Sequence, residues 1–316
     1  MQYRRLGKSG LKVSEIALGS WLTYGASVDK EVASKIIHRA YEAGVNFFDT
    51  ANVYARGAAE VVVGEALRDF PRESFVLATK AFWPMGEGPN DRGLSRKHVM
   101  EQCHASLRRL GVDYIDLFYC HRYDPETPLE ETLRALDDLV SQGKVLYVGV
   151  SEWTAAQIAD AAHLARQMNL DPLVADQPNY SLINRRIEAE IMPLCAREGM
   201  GIVPFSPLGQ GILTGKYRPG QEAPAGSRGA DPKTNSFFNR IATTDRLEKV
   251  AALRPIAEKN GLTVGQLALA WLLGHREVSS VLVGATRVEQ LEENLGASGV
   301  PLSSEDTARI EEIFPA

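Results

Sequence analysis

Asp49, Tyr54, Lys80 and His121 are the residues of this chain best suited to moving a proton. Asp49 and Thr50 end the short apolar run of Val45, Phe47 and Phe48, and Tyr54 follows in the next loop. Lys80 and His121 stand in the same way at the ends of SFVLATK and YIDLFYCH. A lysine sharing a pocket with an aspartate forms an ion pair. Its positive field is expected to favour an ionised phenol and bring Tyr54 down from the usual value of about 10. Tyr54 could then pass a proton to a developing alkoxide while His121 orients or polarises the same carbonyl oxygen. The four make a general-acid and oxyanion site, provided the fold brings them together. His38, His98, His104, His163 and His275 lie in or beside helical patterns and read as surface or packing residues.

The elements that must position these groups repeat as one unit. Residues 3–18 read as two short strands around the turn GKSG, a hairpin before or across the first core strand, KVSEIALG. Helix DKEVASKIIHRAYEAG follows, with Asp29 as its expected cap and Val32, Ile36, Ile37, Ala40 and Tyr41 at helical spacing. Strand VNFFDT leads to a helix over 58–69, and SFVLATK to SRKHVMEQCHASLRRLG. YIDLFYCH is followed by PLEETLRALDDLVSQGK, and VLYVGVS by a helix over 154–168 that opens with the capping-box pair Thr154 and Gln157. LVADQPNY, GIVPFSP and VSSVLVGA complete eight strands, with a helical pair over 244–274 before the last. The early units recur at roughly 30 residues, the size of one βα unit. Eight such units without a composition break predict a single domain over 1–316, an α/β fold of the (β/α)8 TIM barrel type. It has an N-terminal β-hairpin and a long aperiodic loop, 208–243, after strand 7. In that fold Asp49, Lys80, His121, Ser151, Gln177 and Ser206 share the C-terminal rim of six successive strands, where active sites are built.

Composition narrows the choices. A net charge of -5 and the absence of a basic aromatic stripe exclude a nucleic-acid groove. Cys103, Cys120 and Cys195 are odd in number and widely spaced, as reduced buried thiols would be. Neither an apolar leader nor an uninterrupted apolar run of membrane-spanning length occurs, so a cytoplasmic protein without membrane insertion is expected. A metal site at Asp49, His98 and His121 is disfavoured because no HExxH or HxH occurs and Lys80 would oppose a cation. No GxSxG elbow supports a serine hydrolase, and a glycosidase would have to pair Asp49 with Asp176.

Making an alkoxide from a carbonyl requires an electron source that side chains cannot supply. No GxGxxG opens a βαβ unit, so a Rossmann domain is not supported. The last strand instead ends VGATR and runs into a helix, where backbone amides, Thr286 and Arg287 could hold a phosphate.

GVNFFDTANVYARGAAEVVVGEAL resembles the signature of the aldo-keto reductase family, in the branch holding the beta subunits of voltage-gated potassium channels and their bacterial enzyme relatives. TKAFW, GLSRKHV, SLRRLGVDYIDLFYCHR, TPLEETLRALDDLV, GKVLYVGVSEW, QPNYSL, PFSPLGQGILTGKY and GATRVEQLEENLGA match its later blocks in order. The resemblance implies a barrel that binds NADPH or NADP+ in an extended pose and reduces a small-molecule carbonyl substrate. Asp49, Tyr54, Lys80 and His121 match the family's catalytic tetrad, with Tyr54 as proton donor. Asp49, Ser20 and Trp21 match residues beside the nicotinamide, Ser151 and Gln177 those that bind its carboxamide, and Tyr180 would lie near the ring. Glu152 stands where many members carry Asn or Arg.

Phe205, Ser206, Pro207, Leu208, Gln210, Gly211 and Lys216 match the segment that crosses the pyrophosphate. Gly284, Ala285, Thr286, Arg287, Gln290, Glu293 and Asn294 match the adenosine end, with Arg287 placed for a 2′-phosphate. Trp21, Tyr24, Phe82, Trp83 and Tyr123 are candidates for an aromatic substrate wall. Channel subunits of the branch typically carry Asn at the position of His121, so the histidine favours a working reductase over a weakly catalytic regulatory subunit. The branch also implies a homo-oligomer, a tetramer or an octamer.

Overall fold

The computed structural model of the chain describes residues 1–316 except 22, 23, 26, 27 and 232–234, and leaves the Phe237 side chain aside. Residues 22 and 23 of the loop SWLTYG therefore lie outside the described residues, as do three residues of the long loop.

Two short strands, β1 (Tyr3–Arg5) and β2 (Lys12–Ser14), pair antiparallel with Tyr3 opposite Ser14. The barrel begins at β3 (Ile16–Gly19), so the expected single strand KVSEIALG is two strands divided at Glu15. The division has a polar anchor. Glu15 accepts a hydrogen bond from Arg4 at 2.7 Å and another from the Gly299 backbone at 2.8 Å, which fixes the chain where it leaves the hairpin.

From there β4 (Phe47–Asp49), β5 (Val76–Ala81), β6 (Ile115–Cys120), β7 (Val145–Val150), β8 (Leu173–Asp176) and β9 (Gly201–Ile202) add in sequence order, all parallel. The last strand, β10 (Val281–Val283), pairs with β3, and parallel bridges from Ile202 to Val278 and Phe205 to Leu282 close the ring. Alternation along each strand divides the apolar residues between two layers. Ala17, Phe47, Ala78, Leu117, Tyr119, Ala175 and Val203 fill the barrel, which Leu6 and Val13 of the hairpin plug from the N-terminal end. Leu18, Phe48, Leu77, Phe118, Val148 and Ile202 face the helices. The interior is close-packed: a Cβ on Gly149 would stand 2.7 Å from the Tyr119 ring and 2.8 Å from the Ala175 carbonyl oxygen.

The helical coat follows the expected order. It comprises α1 (Lys30–Glu42), α2 (Ala58–Leu67), α3 (Arg96–Leu110), α4 (Leu129–Ser141), α5 (Ala155–Met168) and α6 (Ile191–Glu198). Both halves of the capping box of α5 form: the Thr154 hydroxyl accepts from the Gln157 backbone, and the Gln157 side chain accepts from the Thr154 N–H. Asp29 occupies the N-cap position of α1 without making a side-chain cap bond, and Val32 is exposed, because only Ala33, Ile36, Ile37 and Ala40 of that helix turn inward. In the long loop a 3-10 turn over Gly209–Thr214 and the short α7 (Asn235–Asn239) give local structure. The expected helical pair is three helices, α8 (Thr244–Ala252), α9 (Arg254–Lys259) and α10 (Val264–Leu273). Pro255 near the start of α9 lacks the N–H that would continue α8. Finally, α11 (Val288–Leu295) and α12 (Ser304–Ile313) close the coat. No described helix is long and apolar enough to cross a membrane.

Candidate active site at the C-terminal rim

Each of the four candidate residues, Asp49, Tyr54, Lys80 and His121, stands at the end or start of a different element and enters the same rim. Asp49 is the last residue of β4, Lys80 the penultimate residue of β5, and His121 follows β6. Tyr54 opens the one-turn 3-10 segment Tyr54–Gly57. The Lys80 ammonium pairs with the Asp49 carboxylate and donates to the Thr50 carbonyl at 2.8 Å, both residues being fully buried. The other Asp49 oxygen accepts from the Gln177 amide at 2.9 Å. Lys80 Nζ lies 5.2 Å from the centre of the Tyr54 ring, and that ring meets His121 edge-on at 5.7 Å.

The protonation states depart from the expectation for Tyr54. Burial and then the Asp49 charge hold its phenol well above the ordinary value, with Arg122 pulling the other way. Lys80 does not bring it down, because the phenol faces an ion pair and not a lone cation. Burial, Lys80 and Arg122 together hold the His121 imidazolium far below its ordinary range. Burial also pushes the Asp49 carboxyl up and the Lys80 ammonium down, against the attraction of each for the other. The rim therefore presents a protonated phenol beside a neutral imidazole whose Nδ1 has no hydrogen-bond partner among the described residues.

The residues matched to a dinucleotide extend from this point along the rim. The Ser20 backbone donates to the Asp49 carbonyl and its hydroxyl to Thr50 at 2.9 Å, and Trp21 meets Phe205 edge-on at 6.4 Å. The Ser151 hydroxyl donates to the Gln177 carbonyl at 2.8 Å, which links β7 to the residue that holds Asp49. Ser206 and Gln210, which hydrogen bond at 2.8 Å, have positive φ, as do Gly209 and Gly211. The Gly209 N–H donates to the Ser206 carbonyl and the Gly211 N–H to the Leu208 carbonyl, both at 2.9 Å, so the segment is a tight turn closed on itself. Pro207 is buried within it, Leu208 packs against the core, and Lys216 lies beside Gly211. At the far end Gly284, Thr286 and Arg287 are exposed at the start of α11, with Arg287 at its N-cap. Gln290 accepts from the Thr286 backbone and hydroxyl at 2.9 and 3.0 Å, so it organises the turn. Glu293 is exposed on α11 and Asn294 is buried there.

Three expectations fail, those for Tyr180, Tyr24 and Tyr123. Tyr180 is fully buried in the outer layer, packed on Trp271, and donates its hydroxyl to Glu188 at 2.7 Å. Tyr24 is buried in the same outer core and is no wall residue. Trp83 is 38% exposed and meets both Phe82 and His121 edge-on, so these two aromatics do border the rim, whereas Tyr123 packs on the buried Trp153. Glu152 is engaged elsewhere, accepting from the Asn179 backbone at 2.7 Å and from Arg186 at 2.6 Å. Asp176, the second carboxylate of a glycosidase reading, points the opposite way from Ala175, which lies inside the barrel, and burial holds it well above the carboxylate range.

The residue reading missed three rim groups. The Thr50 carbonyl holds Lys80, Arg122 stands over Trp83 at 5.6 Å, and Arg228 donates to the Gln210 side chain. Arg122 had a signal in its adjacency to His121, but Arg228 lies in an aperiodic loop that gave none. Backbone geometry marks the same place. Of the six described non-glycine residues with positive φ, Ala55, Arg56, Glu152, Ser206 and Gln210 lie on rim loops, and only Asn169 is a helix C-cap. Such conformations persist where the surroundings impose them.

A closed eight-stranded barrel with this rim is one that many chemistries share, so the class rests on sequence as well. Residues 15–314 match the model of the aldo/keto reductase family, and the chain belongs to that family. It is 46% identical over 303 residues to a probable voltage-gated potassium channel subunit beta of Arabidopsis thaliana, covering 95% of this chain and 92% of the plant protein. A protein of the same description from Oryza sativa subsp. japonica is 45% identical over the same length and shares.

Proposed function

We propose that the chain is an NADPH-dependent oxidoreductase that reduces small aldehydes, and ketones where they fit, to alcohols. The observation that carries this reading is the Tyr54 ring set edge-on to His121 at 5.7 Å and 5.2 Å from the ammonium of the buried Lys80–Asp49 pair, where burial favours a protonated phenol and a neutral imidazole. The residues fit the cofactor the family implies. Gln177 and Ser151 offer amide and hydroxyl groups at the Tyr54 end, Arg228 and Lys216 beside the turn at Ser206–Gly211 offer donors for a pyrophosphate, and Arg287 offers a cation for a 2′-phosphate. Bound there, the reduced nicotinamide would supply two electrons and the hydrogen that the carbonyl carbon takes. Tyr54 gives its proton to the carbonyl oxygen, and His121 holds that oxygen by a hydrogen bond as charge develops on it. The Lys80–Asp49 pair, fixed by Thr50 and Gln177, keeps the phenol at its post. Replacing Tyr54 with Phe is expected to lower kcat by about 10²- to 10⁴-fold while NADPH still binds, as steady-state kinetics and fluorescence titration would show. Turnover unchanged in the variant would remove Tyr54 from the chemistry.

The comparisons favour a second reading, since both plant relatives are described as probable channel subunits. On that reading the same rim binds the nucleotide with weak turnover, and the chain serves as a nicotinamide-sensing regulatory subunit. Fourfold rings or pairs of rings belong with it, and light scattering on the purified protein would reveal them. NADPH binding without turnover across a broad aldehyde panel would decide for this reading.

A further inference from the structure

Arg122 places a cation at the rim that the reduction itself does not need. It follows His121 directly after β6 and is half-buried, and one guanidinium nitrogen donates to the carbonyl of His121. The guanidinium lies 5.6 Å from the centre of the Trp83 ring, which in turn meets the imidazole of His121 at 6.3 Å. Its field reaches Tyr54, Lys80 and His121 alike. Among the described residues it forms no ion pair. The carboxylate whose charge it feels, Glu152, is already committed to Arg186 and the Asn179 backbone. A guanidinium carries five N–H donors in a planar fork that matches a carboxylate, and here one is used within the chain.

A half-buried guanidinium without a carboxylate on it loses hydration for one backbone hydrogen bond and one ring contact. A guanidinium fork beside an exposed aromatic that itself borders His121 is pre-set for an anion that arrives with the substrate. We propose that Arg122 is a specificity-determining residue that binds a carboxylate on the carbonyl substrate. The preferred substrate class is then an aldehyde or ketone that also bears a carboxylate. The carboxylate is a spectator: only the carbonyl is reduced, and the charge serves to seat it between Tyr54 and His121. This inference rests on the carbonyl-reductase reading.

The test compares 4-formylbenzoate with its uncharged methyl ester in wild type, Arg122→Met and Arg122→Lys. Because Arg122 lies near Tyr54, the readout is the ratio of kcat/KM for the two substrates and not either rate alone. Wild type is expected to prefer the carboxylate by about 10- to 100-fold, carried by KM and weakened by added salt. The preference should vanish in Arg122→Met and survive in part in Arg122→Lys. No preference in wild type, or a preference undiminished in Arg122→Met, overturns the proposal.

A binding arm separates this failure from failure of the reductase reading. Calorimetric titration of the NADP+-loaded protein with 4-(hydroxymethyl)benzoate and its methyl ester needs no turnover. If neither these aldehydes nor any of a broad aldehyde panel is reduced, the reductase reading falls. Tighter binding of the carboxylate that is lost in Arg122→Met then still supports Arg122 as the anion site, and equal binding of acid and ester rejects it.

Discussion

On the proposed reductase reading, His121 and Tyr54 set the pH behaviour of the reaction. The imidazolium is held far below its ordinary range, so His121 stays neutral through the interval where a free histidine would titrate. The phenol is held well above 10, so its proton is present across that same interval and beyond. Reduction measured between about pH 6 and about pH 9 should therefore show no limb from either residue, with loss only at strongly alkaline pH where the phenol ionises. A bell centred in that interval would contradict both assignments. Lys80 gives a second outcome, in stability. Removing it as Lys80→Met strands the Asp49 charge in a fully buried site, and urea unfolding is expected to show a loss of about 3 to 5 kcal/mol. A variant as stable as wild type would mean that Asp49 is uncharged in the fold. The sequence placed Asp49, Lys80 and His121 on one rim because each ends an apolar run, but it misjudged the sign at Tyr54. A lysine's field is readable from residue type, whereas the neutralising contact and the burial are properties of the packed structure.

Among the elements, strands and their ends were more legible than side-chain directions in the loops between them. The capping box of α5 follows from Thr154 and Gln157 alone, since its bonds are local. Tyr180 misled because it follows β8 by only a few residues, and nothing in the spacing shows the loop turning it into the outer layer. Close approaches of glycine are equally silent. Gly64 reads as a weak point within α2, yet a Cβ there would stand 2.2 Å from the Leu110 carbonyl oxygen at the end of α3. Gly64→Ala is accordingly expected to cost about 1 to 3 kcal/mol by urea unfolding, although alanine is the better helix former, and to leave NADPH affinity unchanged. A stabilised variant would show that α2 and α3 can part without cost.

Over the whole molecule, eight repeated βα units made the barrel legible, and the closure at Phe205 and Leu282 confirms a ring and not an open sheet. The hairpin was expected, but its role as a plug was not: Leu6 and Val13 enter the barrel from below, which leaves the C-terminal rim as the working end. The segment 208–243 stayed opaque because it has no hydrophobic period, and Arg228 was lost with it. The most direct test of the central claim follows the absorbance of NADPH with a panel of aromatic and aliphatic aldehydes, beside a fluorescence measurement of nucleotide binding. The rim described here predicts tight binding together with steady consumption of NADPH on at least one aldehyde. Tight binding with no consumption on any of them would contradict the reductase claim and leave a nucleotide-sensing subunit in its place.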